Sequence, residues 1–276
     1  MISVIFTLIT YYDYILTGKS CKALLFTLPW KCGKMFYGDL MKQLLSLTRA
    51  AVDKYNMIDE GDRIAVGVSG GKDSLALLYA LARLREFYPK KFEVVAITLD
   101  YRFNFEDGDF SRVQTLCNEL GVEYIVKKTD LYKVIFVDRK EKNPCSLCAK
   151  MRRGILHDTA KEAGCNKIAL GHHLDDAAQT VIMNLFNGGT IGCFSPVSYL
   201  SNKDLYLIRP MIFCYEKDVA RAASRLELPI VKSKCPADKV TQRQTVKELL
   251  LSLEKDYPQL RKKIVGALQR GEIDGW

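Results

Sequence analysis

The chain is predicted to be an α/β protein, a doubly wound parallel sheet followed by C-terminal helices. Three observations carry this expectation. Short apolar runs alternate with amphipathic helical patterns from residue 63 to residue 208. The first of these runs ends in a glycine-rich turn that opens directly into a helical pattern. Polar residues suited to ligand chemistry recur at the carboxyl ends of the expected strands, where open α/β sheets place their ligands.

Taken in order, residues 1–36 form an atypical N-terminal extension. Their apolar stretch is interrupted by Asp13 and Lys19. It is shorter than the ~20 residues that a bilayer span requires, and it lacks the basic start and small-residue cleavage site of a secretion signal. The remainder reads as a complete protein starting near Met35 or Met41, so residues 1–34 are expected to be a translated upstream segment. Residues 37–62 form an N-terminal helical cap, because Leu40, Leu44, Leu47, Ala51 and Tyr55 recur at helical spacing over 39–55.

The α/β core spans 63–212. Strands are expected at 63–68, 93–99, 122–127, 167–170 and 205–208, with helices at 73–87, 109–120, 146–163 and 175–186 between them. After Pro210 the pattern becomes helical, with helices at 216–226, 242–255 and 259–269 making up a C-terminal helical region, 213–276.

Composition bounds the partners. The chain has 276 residues, 48% apolar and 26% charged, the balance of a soluble globular protein. A net charge of +9 favours a polyanion such as RNA, or serves solubility alone. Nine scattered cysteines, an odd number with no secretion signal before them, argue against a disulfide framework and for reduced thiols in the cytoplasm. No membrane association is expected.

The chemistry begins at Ser69-Gly70-Gly71-Lys72-Asp73-Ser74. Two glycines let backbone N–H groups converge, the helix start adds unpaired N–H groups and a positive dipole end, and Lys72 adds a charge. Ser69 and Ser74 add hydroxyls. This is a phosphate cradle, but it matches neither the Walker loop nor the G-x-G-x-x-G fingerprint. Asp73 takes the place of the hydroxyl that would follow the lysine, which puts a carboxylate near a metal or pyrophosphate. Asp100 and the Gly171-His172 pair fall at two other strand ends. His172 is placed to contact the nucleotide, whereas His173 reads as structural. Asp175 and Asp176 open a helix and are candidate Mg²⁺ ligands, although dipole stabilisation alone would also favour them there. Lys72 and Asp73 are the candidate catalytic residues.

Cys145-Ser146-Leu147-Cys148 has three readings on its own: a redox dithiol, half a zinc site, or a ligand pair for an iron–sulfur cluster. No second C-x-x-C exists to complete a zinc site. Cys235, in a polar loop before a helix, is the best-placed third thiol, while Cys117 and Cys165 sit in helical patterns as core residues. Three thiolates would leave one iron of a four-iron cluster open to an exogenous sulfur. Arg152 and Arg153 after the C-x-x-C, Lys127, Lys128, Arg139, Lys140 and Lys142 before it, and Arg243, Lys247 and Arg261-Lys262-Lys263 later each read alone as a solvated face; several grouped around the site would form a phosphate-binding surface.

SGGKDS after a strand is the signature of the PP-loop ATP pyrophosphatases, the adenine nucleotide alpha hydrolase-like fold. More closely, SGGKDS, PCSLCAKMRRGIL at 144–156, GHHLDDAAQTVIMNLFNGG at 171–189, IRPMIFCYEKD at 208–218 and TQRQ at 241–244 resemble the tRNA 2-thiocytidine synthetases. The resemblance covers roughly residues 40–256. It implies a [4Fe-4S] cluster held by Cys145, Cys148 and a third cysteine, with Cys235 in the matching place. Lys232 stands where the family has a further cysteine, which is a departure from the pattern. The resemblance further implies Mg²⁺ and ATP as cofactors, adenylation of a cytidine C2 oxygen with pyrophosphate release, and displacement of AMP by sulfide carried on the open iron. It implies tRNA as partner and a sulfur donor such as a cysteine desulfurase. The oligomeric state stays open, with a homodimer among the arrangements. Ser69, Gly70, Gly71, Lys72 and Ser74 would bind phosphates. Other tRNA modifications on the same scaffold, 2-thiouridine or lysidine formation, and a non-catalytic ATP- and RNA-binding cluster sensor are the alternatives.

Overall fold

Two rows of apolar residues on the central strands organise the fold. The computed structural model describes residues 38–139, 144–231, 235 and 242–276; the extension expected at 1–36, with Lys140, Lys142, Lys232 and Thr241, lies outside them. Six strands form one sheet: β1 (Asp62–Gly67), β2 (Phe92–Asp100), β3 (Glu123–Lys128), β4 (Lys167–Ala169), β5 (Val197–Leu200) and β6 (Leu205–Ile208), in the order β3-β2-β1-β4-β6-β5. Ala65 of β1 lies opposite Val95 on one side and Ile168 on the other. In β2 every residue except Glu93 is buried, as expected of a strand covered on both faces.

Alternation along these strands divides the core. Ile64, Val66, Val94 and Ala96 point into the larger cluster, with residues of α1 (Gly38–Lys54), α2 (Lys72–Leu84), α3 (Ser111–Leu120), α5 (Leu174–Gly188), α6 (Glu216–Arg225) and α8 (Leu260–Arg270). Ala65, Val95, Ile97 and Ile168 point to the other side and meet Leu156 and Ala160 of α4 (Pro144–Glu162). A third cluster, Ala178, Val246 and Leu250, joins α5 to α7 (Gln242–Leu253). Leu40–Trp276 forms one compact unit. Among the described residues no helix is long and apolar enough to cross a membrane.

The sheet departs from the all-parallel expectation at one edge. β5 pairs antiparallel with β6, Tyr199 opposite Tyr206, with ring centroids 4.8 Å apart. The run Val197–Leu200 is short and followed by the polar residues 201–204, so it is a hairpin arm too brief to stand out from a loop by periodicity. The other expected elements form, with ends moved by a few residues. The order of strands reverses between β1 and β4, so the loops that follow these two strands meet at the switch point.

Candidate active site

The loop after β1 is held open by its own hydroxyls. Ser74 Oγ donates to the Gly71 carbonyl at 2.9 Å and accepts from the Ser69 N–H at 3.1 Å. Ser69 Oγ lies 3.2 Å from Ser74 Oγ. Gly70 has φ +81°, and its carbonyl accepts from the Val231 N–H at 3.0 Å. A Cβ on Gly70 would stand 2.9 Å from Val231 Cβ, so glycine is required by both torsion and space. The same contact ties the loop to the segment that leads to Cys235. Gly71 N-caps α2, so the helix's first-turn N–H groups border the loop.

Lys72 Nζ bridges Asp73 Oδ2 at 2.9 Å and Glu216 Oε1 at 3.1 Å. Burial alone would lower its pKa, but the two carboxylates outweigh that and raise it above the ordinary lysine value. Burial works against the Glu216 carboxylate, yet Lys247 at 2.7 Å and Lys72 overcome it and hold its pKa at about 2. Asp73 Oδ1 is different: it is buried and has no hydrogen-bond partner. His173 Nε2 stands 3.9 Å from it.

The loop after β4 approaches closely. A Cβ on Gly171 would lie 3.2 Å from the carbonyl carbon and oxygen of Asp73. Buried His173 caps α5: its Nδ1 accepts from the Asp176 N–H at 3.3 Å, while its own N–H donates to Asp176 Oδ2 at 3.0 Å. His172 stacks on Phe194 with centroids 4.7 Å apart, and burial pulls its pKa down to about 4. Its Nδ1 is buried without a partner.

Three expected site residues are engaged otherwise. Asp100 accepts from the Arg102 N–H at 3.0 Å and the Gly108 N–H at 2.9 Å, so its carboxylate shapes the following loop. Asp175, only 1% exposed, pairs with Arg261 Nη1 and accepts from the Glu216 N–H at 2.7 Å. Asp176 pairs with Arg243 at 2.8 Å. Both oxygens of each carboxylate are thus taken, Asp175 by Arg261 and the Glu216 N–H and Asp176 by Arg243 and the His173 N–H, whereas Asp73 keeps one oxygen without a partner for a metal. Arg243, Lys247 and Arg261 are likewise engaged by carboxylates, Arg243 by Asp176, Lys247 by Glu216 and Arg261 by Asp175 and Glu254, which ties α7 and α8 to the starts of α5 and α6.

The cysteines separate cleanly. Cys117, Cys165 and Cys214 are buried, and burial pushes their thiols to about 12, 11 and 12. Burial also pushes Cys193 to about 12; its thiol donates to the Ala177 carbonyl at 3.6 Å. These four are inert. Cys145 is exposed at the start of α4, and Cys148 and Cys235 are half-buried. Burial raises the Cys148 thiol, Arg152 draws it down, and Cys235 and Cys145 add repulsion. Cys148 is therefore close enough to sense both other thiols, with Arg152 and Tyr101 nearby and attracting each other. Among the described residues no three such side chains converge on a single ion. Sequence reasoning missed Glu216 and Tyr101: neither carries a spacing signal, since each joins the site only through tertiary contact.

Similarity to known proteins agrees with this geometry. Residues 40–253 match the family described as the PP-loop domain. The tRNA-cytidine(32) 2-sulfurtransferase of Syntrophotalea carbinolica is 39% identical over 236 residues, 83% of this chain and 89% of the relative. That of Dichelobacter nodosus is 41% identical over 238 residues, 84% and 86% of the two chains. The U34-tRNA thiolase NcsA from Methanococcus maripaludis, solved with its [4Fe-4S] cluster, matches with a TM-score of 0.67 at 27% identity, covering 84% of this chain and 79% of that one. This chain therefore belongs to the PP-loop family and, within it, to the tRNA-cytidine(32) 2-sulfurtransferases.

Proposed function

We propose that this protein is an ATP-dependent tRNA sulfurtransferase. It adenylates the C2 oxygen of a cytidine in tRNA, releases pyrophosphate, and replaces the activated oxygen with sulfur. The observation that carries this reading is that a phosphate loop follows β1 while Cys148 and Cys235, with Cys145 near them, lie by Tyr101, the residue that follows β2, so both groups stand at the carboxyl ends of one sheet.

The roles follow from the groups present. Ser69, Gly70, Gly71 and Ser74 form the loop that cradles the phosphates, with the first-turn N–H groups of α2 as donors. Lys72, fully charged at neutral pH, stabilises the negative charge that develops on the departing pyrophosphate. Asp73 Oδ1, the buried oxygen without a donor, is the group to hold Mg²⁺, which supplies further charge neutralisation there. His172, neutral because of its burial, borders the nucleotide without adding charge. Cys145, Cys148 and Cys235 are the thiols to hold a [4Fe-4S] cluster, whose chemistry at this place is to carry sulfide. Arg152 presents a cation beside them, suited to a sulfide or adenylate anion.

The proposed setting is the cytoplasm, where tRNA and reduced thiols coexist. The sulfur comes from an external donor of the cysteine desulfurase class. Exposed Leu185, Phe186 and Ile191 support pairing as a homodimer. Nucleoside mass spectrometry of tRNA from cells with and without the gene tests the reading. Loss of 2-thiocytidine is expected on deletion; an unchanged level refutes it.

A further inference from the structure

An aromatic ladder runs outward from the cysteine cluster, and neither the nucleotide nor the thiols require it. Its inner end is Tyr101, which is close enough to Arg152, Cys148 and Cys235 to feel their charges. Tyr101 stacks on Phe103 at 5.3 Å, and Phe103 meets Tyr132 edge-on at 5.8 Å. Tyr132 in turn meets Phe105 edge-on at 5.7 Å and stacks on Phe136 at 5.6 Å. Phe105, at the outer end, is 59% exposed.

The backbone that presents these rings is strained and firmly anchored. Arg102, Asn104 and Phe105 have φ of 49°, 56° and 65°, a conformation that costs energy in residues bearing a Cβ. Asp100 holds the turn by accepting from the N–H groups of Arg102 and Gly108. Arg102 pairs with Asp107 at 3.2 Å, and Lys128 pairs with the same carboxylate. Backbone strain held in place by such contacts is a feature that clusters at ligand-binding surfaces. Tyr132 and Phe136 lie on and beside the π-helical turn Lys133–Asp138, which packs against α4. On these elements exposed Lys133, Arg139 and Lys150 have no acidic partner among the described residues.

We infer that the Phe105–Tyr132 pair is a stacking platform for an unpaired RNA base, next to the nucleotide that reaches the thiols. This rests on the tRNA sulfurtransferase reading and names the surface that reading lacks. Single-stranded RNA is recognised by unstacked bases resting on aromatic faces, with cations alongside for the backbone. Here the rings lead from solvent to the sulfur site, so a base held at Phe105 fixes the approach of its neighbour.

The test uses the full-length protein and an unmodified tRNA transcript, with Phe105→Ala, Phe105→Trp and Lys133→Ala compared with the parent by fluorescence anisotropy. Phe105→Ala is expected to weaken tRNA binding by roughly 5- to 150-fold, the range for loss of one base–aromatic stack, with an unchanged salt slope. Phe105→Trp retains binding. Lys133→Ala reduces the salt slope by roughly one phosphate contact, about 0.7–0.9. A 2-aminopurine placed beside the target cytidine changes its fluorescence on binding to the parent, and not to Phe105→Ala. Because Phe105 is exposed, its urea unfolding midpoint serves as the fold control. If the parent binds tRNA and releases pyrophosphate while Phe105→Ala binds equally well, the platform is refuted and the enzyme reading stands. If the parent itself neither binds tRNA nor releases pyrophosphate, both fall. If Phe105→Ala binds tRNA normally but loses a protein sulfur donor, the surface is a protein contact and the inference is overturned.

Discussion

Arg261→Met removes the cation that closes Asp175, and it separates a structural role for that carboxylate from a metal-binding one. Asp175 is 1% exposed and Arg261 has 12% of its side chain exposed, so solvent screens the pair little. Arg261 also pairs with Glu254 and lies 5.5 Å above the Tyr215 ring. Breaking one side of a buried pair costs about 3–5 kcal/mol, because the remaining charge is left uncompensated. Asp175 keeps the Glu216 N–H, which offsets part of this, so the expected loss is about 3 kcal/mol. Removing both charges, Asp175→Asn with Arg261→Met, is expected to recover at least about 1 kcal/mol of that loss. Urea unfolding of the parent, both single variants and the double variant measures the cycle. An Arg261→Met protein within about 0.5 kcal/mol of the parent would refute the argument, since a surface substitution has that magnitude. If its Mg²⁺ dependence changed as well, Asp175 would return as a metal ligand.

Three further predictions follow from the site. Replacing Cys145, Cys148 or Cys235 singly by Ala lowers the iron and acid-labile sulfide content of anaerobically purified protein, whereas Cys117→Ala leaves it unchanged; iron and sulfide assays read both. His172 has a folded pKa of about 4 against an ordinary 6.5, so the unfolded chain binds more protons between those values. Stability at its level above pH 6.5 therefore falls as the pH drops toward about 4, by of order 1–3 kcal/mol, and His172→Phe flattens that slope in urea titrations at pH 7 and pH 5. Gly171→Ala pushes against the Asp73 backbone, which cannot rotate away as a side chain can. It is expected to cost about 1–3 kcal/mol and to weaken ATP binding measured by calorimetry, while Gly164→Ala, at φ +71° but with no neighbour within 4 Å, costs stability through its backbone alone and leaves ATP binding intact.

The sequence by itself determined the sheet, the phosphate loop and the C-x-x-C pair. Those are local: the buried run of β2, the Gly70-Gly71 turn and the 145–148 spacing each fit within a dozen residues, where period and torsion are readable from residue type. The edge strand Val197–Leu200 escaped because four residues carry too little period. Tertiary structure alone decided what the charges do. Asp175 and Asp176 look like metal ligands in the sequence, but Arg261 lies 86 positions and Arg243 67 positions beyond them and closes each. For the thiols, the tertiary structure adds burial to a choice the sequence had already made: Cys193 and Cys214 are held as unreactive thiols, while Cys235 lies close enough to Cys148 to influence it. The physical reason is common to these cases. A charge or a thiol acquires its role from what lies within a few ångströms and from how much water is excluded, and sequence spacing records neither.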